Sequence, residues 1–214
     1  MIRLFAFWND HSVTEAMGRQ AGVIAREWWF FFAICSVVFI LTMLFLARAL
    51  TKRREAADPA PASPATLDPR RERTLTIAVS TAVGITVVTL FVLLFVSIST
   101  GSSIRHFNSK NAVTIQVMGH QWWWHVIYQD TAASETMQTA NEIHIPVGKP
   151  VVILTSSNDV IHSFWAPNIT GKRDLIPGYQ TALWIQADKP GRFRGQCAEF
   201  CGHQHAHMAF YIVA

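Results

Sequence analysis

The stretch QCAEFCGHQHAHMAF, residues 196–210, holds two of the chain's three cysteines, three histidines and a methionine. Thiolates, imidazoles and thioethers suit soft and borderline metals, whereas calcium and magnesium prefer oxygen ligands. Cys197 and Cys201 by themselves leave two readings open, a disulfide and a metal site. Their neighbours add His205 and Met208. One thiolate, two imidazoles and a weak thioether make the mononuclear blue-copper ligand set. Here there is one thiolate more, and two thiolates held close can bridge two copper ions. The second imidazole must come from elsewhere, and His162, in NDVIHSFWAP at the end of a strand-like run, is the candidate.

The rest of the chain has to position these groups. Half of its 214 residues are hydrophobic and only 15% are charged, too apolar for an ordinary soluble protein of this size. Two runs carry the excess. Residues 28–47, WWFFFAICSVVFILTMLFLA, contain no charge and are bounded by Glu27 and Arg48. A helix of about 20 residues covers a hydrocarbon core of about 30 Å. The second uncharged run covers residues 74–104, with its apolar part near residues 75–98. Its small residues permit close packing against a neighbouring helix. Two transmembrane helices, at 28–47 and 74–100, are expected in a lipid bilayer.

Basic residues set the orientation. The loop 48–73 holds Arg48, Lys52, Arg53, Arg54, Arg70, Arg71 and Arg73 against Glu55, Asp58, Asp68 and Glu72. The tail 1–27 is balanced, with three residues of each sign. By the positive-inside rule the loop is cytoplasmic and both termini lie on the other face. Within the loop, ADPAPASPATLDP reads as an extended, solvated linker. No short basic region leads directly into an apolar core, so no cleavable signal is expected. The net charge of +4 does not suggest a nucleic-acid partner.

Beyond the second run, residues 101–214 read as an all-β domain. VTIQVM, EIHIPV, PVVILTS, TALWIQA and AFYIVA are short and rich in β-branched or aromatic residues, with turn residues between them. Several short strands in a segment of this length suggest a small sandwich or barrel. The cysteine loop falls between TALWIQA, with its GRFRG continuation, and the final AFYIVA.

DVIHSF followed by QCAEFCGHQHAHM, with GHQWWW upstream and two spans before it, resembles the copper-A subunit, subunit II, of cytochrome c oxidases. The resemblance covers nearly the whole chain. It implies a helical hairpin followed by a cupredoxin-like Greek-key barrel, in the inner (plasma) membrane of a bacterium with the copper domain outside. It implies a binuclear copper-A centre bridged by Cys197 and Cys201. His162 and His205 would each bind one copper, Met208 would be a weak axial ligand, and the Glu199 carbonyl another ligand. The Glu199 side chain would face a magnesium ion shared with subunit I. Trp122 would receive the electron from cytochrome c. The implied function is to pass that electron to the haems of subunit I, where oxygen is reduced to water with proton translocation. Partners would be subunits I and III.

Other residues have plainer readings. On a strand Trp122, Trp123 and Trp124 alternate faces, so Trp123 and Trp124 are expected to pack within an aromatic cluster. His11, His106, His125 and His144 lack ligand spacing, His120 of the GHQW motif reads as structural, and Cys35 reads as a span residue. His203 and His207 are additions to the ligand loop, and Tyr179 follows IPG where the family frequently has arginine. Residues 101–214 carry eight basic and seven acidic residues, so the acidic docking face of mitochondrial relatives is weak. Asp159, Asp130 and Glu135 remain as docking candidates. No Cys-x-x-Cys-His occurs, which excludes a covalent c-type haem.

Two other readings compete with the oxidase: the same module serving a copper-A nitric oxide reductase, and a membrane-anchored copper carrier. A carrier needs an open, exchangeable site and has no use for Trp122. The two-span reading predicts that reporter fusions at Ala62 and at the C-terminus report opposite compartments. The same compartment for both would contradict it.

Overall fold

A computed structural model describes residues 11–52, 69–105, 112–128 and 136–214. The start of the tail, residues 53–68 of the linker, His106, Asp130 and Glu135 lie outside the described residues.

Helix α1 spans Arg19–Thr51 and helix α2 spans Pro69–Arg105. Each contains its expected apolar run and extends past it, so α1 begins at Arg19 rather than at Trp28. Pro69 suits the first turn of α2, since its missing N–H would have no helical partner there. Arg48 and Arg105 lie in the last turns, where cations meet the negative end of the helix dipole. Both helices are long and apolar enough to cross a membrane, and their apolar windows bury nothing within the chain. Hydroxyls inside the runs are satisfied locally. Thr42 donates to the Val38 carbonyl at 2.8 Å, and Thr86 and Thr89 donate to Ala82 and Ile85 at 2.9 Å. A lone hydroxyl in hydrocarbon would otherwise lack a partner.

The chain divides into two compact units, Glu27–Gly101 and the remainder. In the second unit ten strands form two five-stranded sheets, the architecture of a cupredoxin-like domain. Their ranges are β1 Val113–His120, β2 Trp123–Tyr128, β3 Met137–Ala140, β4 Glu142–His144 and β5 Val151–Ser157. They continue as β6 His162–Trp165, β7 Arg173–Leu175, β8 Thr181–Ile185, β9 Arg192–Cys197 and β10 Ala209–Val213. One sheet has the order β3-β2-β1-β5-β8 and the other β4-β10-β9-β6-β7. Pairings are antiparallel except β1 with β5 and β4 with β10, which are parallel. Burial alternates along β1, β5 and β9, so each presents one face to the core.

An aromatic cluster fills the space beneath the cysteine loop. Phe164 and Phe210 stack with centroids 4.4 Å apart, and Trp124 meets Phe210 edge-on at 5.2 Å. All three are fully buried, each worth about 1.5–3 kcal/mol or more of apolar burial. Gly195, paired with Phe210, leaves room for that ring: a Cβ there would lie 2.1 Å from it. The part of the chain ahead of the first apolar run joins the same unit. Met17 and Gly18 donate their N–H groups to the Asn168 carbonyl, and Asp188 N–H donates to the Met17 carbonyl.

Gly119 sets the space for His162. A Cβ there would lie 2.7 Å from Cδ2 of the His162 ring, which is fully buried. Gly119→Ala is expected to cost about 1–3 kcal/mol of stability by overpacking, read by denaturant unfolding. Gly84→Ala on α2, with open space around it, should change little. Equal stability of the Gly119→Ala protein and the parent would show that the ring is not confined.

Candidate metal centre

Three strands and one loop bring the sequence-predicted donors together. His162 opens β6, where the sequence reading had put it at the end of a run. The reason is that β5 ends at Ser157 and Ser157–Val160 form a tight turn, in which the Ser157 hydroxyl bonds the Val160 carbonyl. Cys197 closes β9, Met208 directly precedes β10, and Cys201 and His205 lie on the connection between those strands. The connection is pinned at its base by Cys197 N–H donating to the Met208 carbonyl at 2.9 Å and Ala198 N–H donating to the Ser163 carbonyl. Its corner is Gly202 at φ 112°, which side chains rarely adopt. A short 3-10 turn, His205–His207, then returns the chain to the sheet.

The donor atoms form one continuous cluster. Sγ of Cys197 and Sγ of Cys201 lie 3.8 Å apart as free thiols. His162 Nδ1 is 3.8 Å from the Cys197 sulfur and His205 Nδ1 is 3.6 Å from the Cys201 sulfur. Met208 Sδ is 3.8 Å from the Cys201 sulfur, and the Glu199 carbonyl oxygen is 3.2 Å from that of Cys197. His162, Cys197 and Cys201 meet the geometric requirement for a shared metal ion. Separations of this size fit donors arranged around ions with bonds of about 2.0–2.3 Å.

Electrostatics give a second test of that fit. Burial pushes the Cys197 thiol up, but hydrogen bonds with His162, the Ser163 and Glu199 backbone and His205 outweigh it and hold the group down at about 6. Cys201 is pushed up to about 12, by burial first and then by its charged neighbour Cys197. Left to themselves the two sulfurs hold one proton between them, and a cation is needed for both to be thiolates. Burial lowers His162, yet Cys197 and Asp159 together raise it overall. Two thiols, two imidazoles, a thioether and a carbonyl are a soft-to-borderline set, buried at five of its positions or partly so, and suited to a thiophilic metal.

Residues around the donors hold them in place. His162 Nε2 meets the Asp159 carboxylate at 2.8 Å, so that Nδ1 faces the sulfurs. Burial would raise Asp159, but hydrogen bonds from His162 and from the Gln121 and Val160 N–H groups lower it. Trp122 lies in the turn between β1 and β2 rather than on the strand, half-buried against the core. Its indole Nε1 donates to the Cys201 carbonyl at 3.1 Å, and Gln121 Nε2 donates to the same oxygen at 2.8 Å. A Cβ at Gly202 would lie 3.3 Å from the indole. Trp124 is buried in the aromatic cluster as expected, whereas Trp123 is partly exposed and stacks on His120 at 4.6 Å.

Gln121, Gly202 and the inward-facing carboxylate of Asp159 were not singled out for these roles by the sequence reading. The spacing Asp159-x-x-His162 and the Gln before Trp122 were the available signals. His203 and His207 are exposed, with His203 edge-on to Trp122 at 6.3 Å. Glu199, Phe200 and Tyr179 are exposed, while His11, His125 and His144 fall outside the donor cluster.

Residues 130–214 match the sequence model of "Cytochrome C oxidase subunit II, periplasmic domain". A cytochrome c oxidase subunit 2 from Alkalihalophilus pseudofirmus is 37% identical over 137 residues, 60% of this chain and 39% of that one. A probable cytochrome c oxidase subunit 2 from Rickettsia conorii is 32% identical over 146 residues, 59% of this chain and 46% of that one. The chain therefore spans less than half the length of these two relatives. The crystal structure of the periplasmic domain of cytochrome oxidase subunit II from Bradyrhizobium japonicum is 34% identical. That match covers 49% of this chain and 84% of that domain, with a TM-score of 0.45. By sequence, residues 130–214 match the cytochrome c oxidase subunit II family, and the two relatives named above are subunits of that kind.

Proposed function

We propose that this chain is the electron-accepting subunit of a haem-copper terminal oxidase, with a binuclear copper-A centre held by His162, Cys197, Cys201, His205, Met208 and the Glu199 carbonyl. The observation that carries the reading is the unbroken line of donors from His162 through both sulfurs to His205. When bound, the copper pair supplies one-electron exchange with little rearrangement, because the charge change is shared by two metals and two sulfurs.

The chain's own residues prepare that exchange. Asp159 fixes the His162 ring, Gly119 confines it, and Trp124, Phe164 and Phe210 exclude water from beneath. Gln121 and Gly202 seat Trp122 against the Cys201 carbonyl, so that an aromatic surface lies one hydrogen bond from a sulfur ligand's own backbone. Cytochrome c would dock over Trp122. The haems, the oxygen chemistry and proton translocation would belong to subunit I, with subunit III as a further partner. The exposed carboxylate of Glu199 is free to reach a magnesium ion shared with subunit I, for which hard oxygen is the right ligand.

Two apolar helices support a location in the inner membrane. The positive-inside pattern supports a cytoplasmic loop 48–73 and a periplasmic copper domain. Contacts of Met17 and Gly18 with residues 168 and 188 support a shared side for the N-terminal segment and the domain.

Trp122→Ala tests the route. A central tryptophan in a docking surface is worth about 2 kcal/mol or more, hence tenfold or more in rate. Electron uptake from cytochrome c should fall by that factor in the assembled enzyme, with copper content and optical spectrum kept. An unchanged rate under conditions where uptake limits turnover, or loss of copper, would contradict the role of Trp122.

A further inference from the structure

A second group of metal-binding side chains lies apart from the donors around the cysteine loop. Along β1 and β2 the core face carries Ile115, Val117, Trp124 and Val126, so Met118, His120, Trp123 and His125 project from the opposite face. The hairpin register sets Met118 directly across from His125, and His120 across from Trp123. Residues opposed in this way have Cβ atoms about 4.5–5.5 Å apart. One thioether and two imidazoles are thereby gathered on one patch of the β domain. All three are partly exposed, so an ion from solution can reach them.

The rings are already close to a shared position. His120 lies flat on Trp123, with centroids 4.6 Å apart and 9° between the planes. The centroids of His120 and His125 are 6.1 Å apart. An ion bound at about 2.0 Å by each of two imidazoles holds their centroids no more than about 6 Å apart. Small side-chain rotations are enough to close the pair on one ion. His125 Nε2 meets Gln138 Oε1 at 3.0 Å. An amide oxygen only accepts, so this contact leaves the lone pair on Nδ1 of His125. The β3 partner of His125 is Ala140, whose methyl leaves the ring room to turn.

Polar atoms without partners mark the same patch. His120 Nε2 is shielded from water and has no hydrogen-bond partner among the described residues. The same holds for Ser156 Oγ, on the β5 residue that pairs with Met118. Shielded polar atoms nearly always have a partner, and a bound ion is one way to supply it.

We infer that Met118, His120 and His125 form a copper(I) site of their own on the outward face of the β1–β2 hairpin. The donor set is uncharged, with two borderline nitrogens and one soft sulfur. Thioether sulfur favours copper(I), whereas magnesium and calcium call for oxygen ligands. Gln138 orients the His125 ring and Trp123 holds that of His120. None of the donors at the cysteine loop takes part, so either site can fail without the other.

The test is an anaerobic copper(I) titration of the full chain in detergent, after copper loading of the cysteine site, in competition with a chromophoric copper(I) chelator. One further copper(I) ion per chain is expected. Met118→Leu and His125→Gln should each weaken its binding about tenfold or more, since even an outer partner of a metal ligand is worth that much. Both variants should keep the copper of the cysteine site and the parent's Tm. His120→Ala should weaken binding as well, and if it fails to fold the other two variants decide. His203→Ala with His207→Ala should leave the further ion in place. No further ion, or undiminished affinity in Met118→Leu and His125→Gln, would overturn the site. Loss of the ion in the His203 and His207 variant would assign it to the cysteine loop and overturn the site too. Zinc(II) held as tightly as copper(I) would overturn copper(I) as the occupant.

Discussion

Two thiols 3.8 Å apart beneath a protein surface cannot both be ionised without a positive charge between them. In a medium of low dielectric the repulsion of two thiolates at that distance exceeds anything the surrounding hydrogen bonds supply. Much of the β domain is arranged around that constraint. One sulfur is stabilised as the thiolate by an imidazole and backbone donors, and the other is left protonated next to it. Metal binding then has to displace a proton at Cys201, so affinity rises with pH.

A site that makes such a demand needs donors that do not relax away. β6, β9 and β10 belong to one sheet, and the donors sit where those strands end or begin. The Phe164–Phe210 stack and the edge of Trp124 fill the volume below them. Close packing of this kind allows little movement of His162 or Met208. Small reorganisation is the property the proposed electron-transfer role requires, and ordinary core packing favours it. The copper-carrier alternative would need a mobile, exchangeable ligand, and three of the six donors are on or next to strands.

Legibility in the sequence followed the range of the interactions. The two helices were plain because length and lack of charge are local properties, although their ends were not: α1 starts at Arg19 because its first turns pack on the domain, as buried Gln20 and Ala21 show. Five strands and the β9 continuation were readable from alternation. The short strands β3, β6 and β7 were not, since three or four residues carry too little pattern. Cys197, Cys201, His205 and Met208 could be grouped because they are neighbours in the chain. His162 could be named as a candidate from its strand-like surroundings, but it opens its strand instead of ending a run. The contact of Asp159 with His162 is three residues long and could have been noticed. That of Gln121 with Cys201 spans 80 residues and depends on the fold. Trp122 was expected on a strand, but the β1–β2 turn takes it, and this is what turns its indole towards the cysteine loop.

The account turns on whether one centre holds two coppers with this donor set. Electron paramagnetic resonance of the copper-loaded chain measures that most directly. One unpaired electron shared by two nuclei gives more hyperfine lines than a single copper nucleus can. That pattern should survive His203→Ala and His207→Ala and be disrupted by His205→Ala. A single-copper pattern in the unmodified chain, or loss of the shared pattern in either of the first two variants, would contradict it.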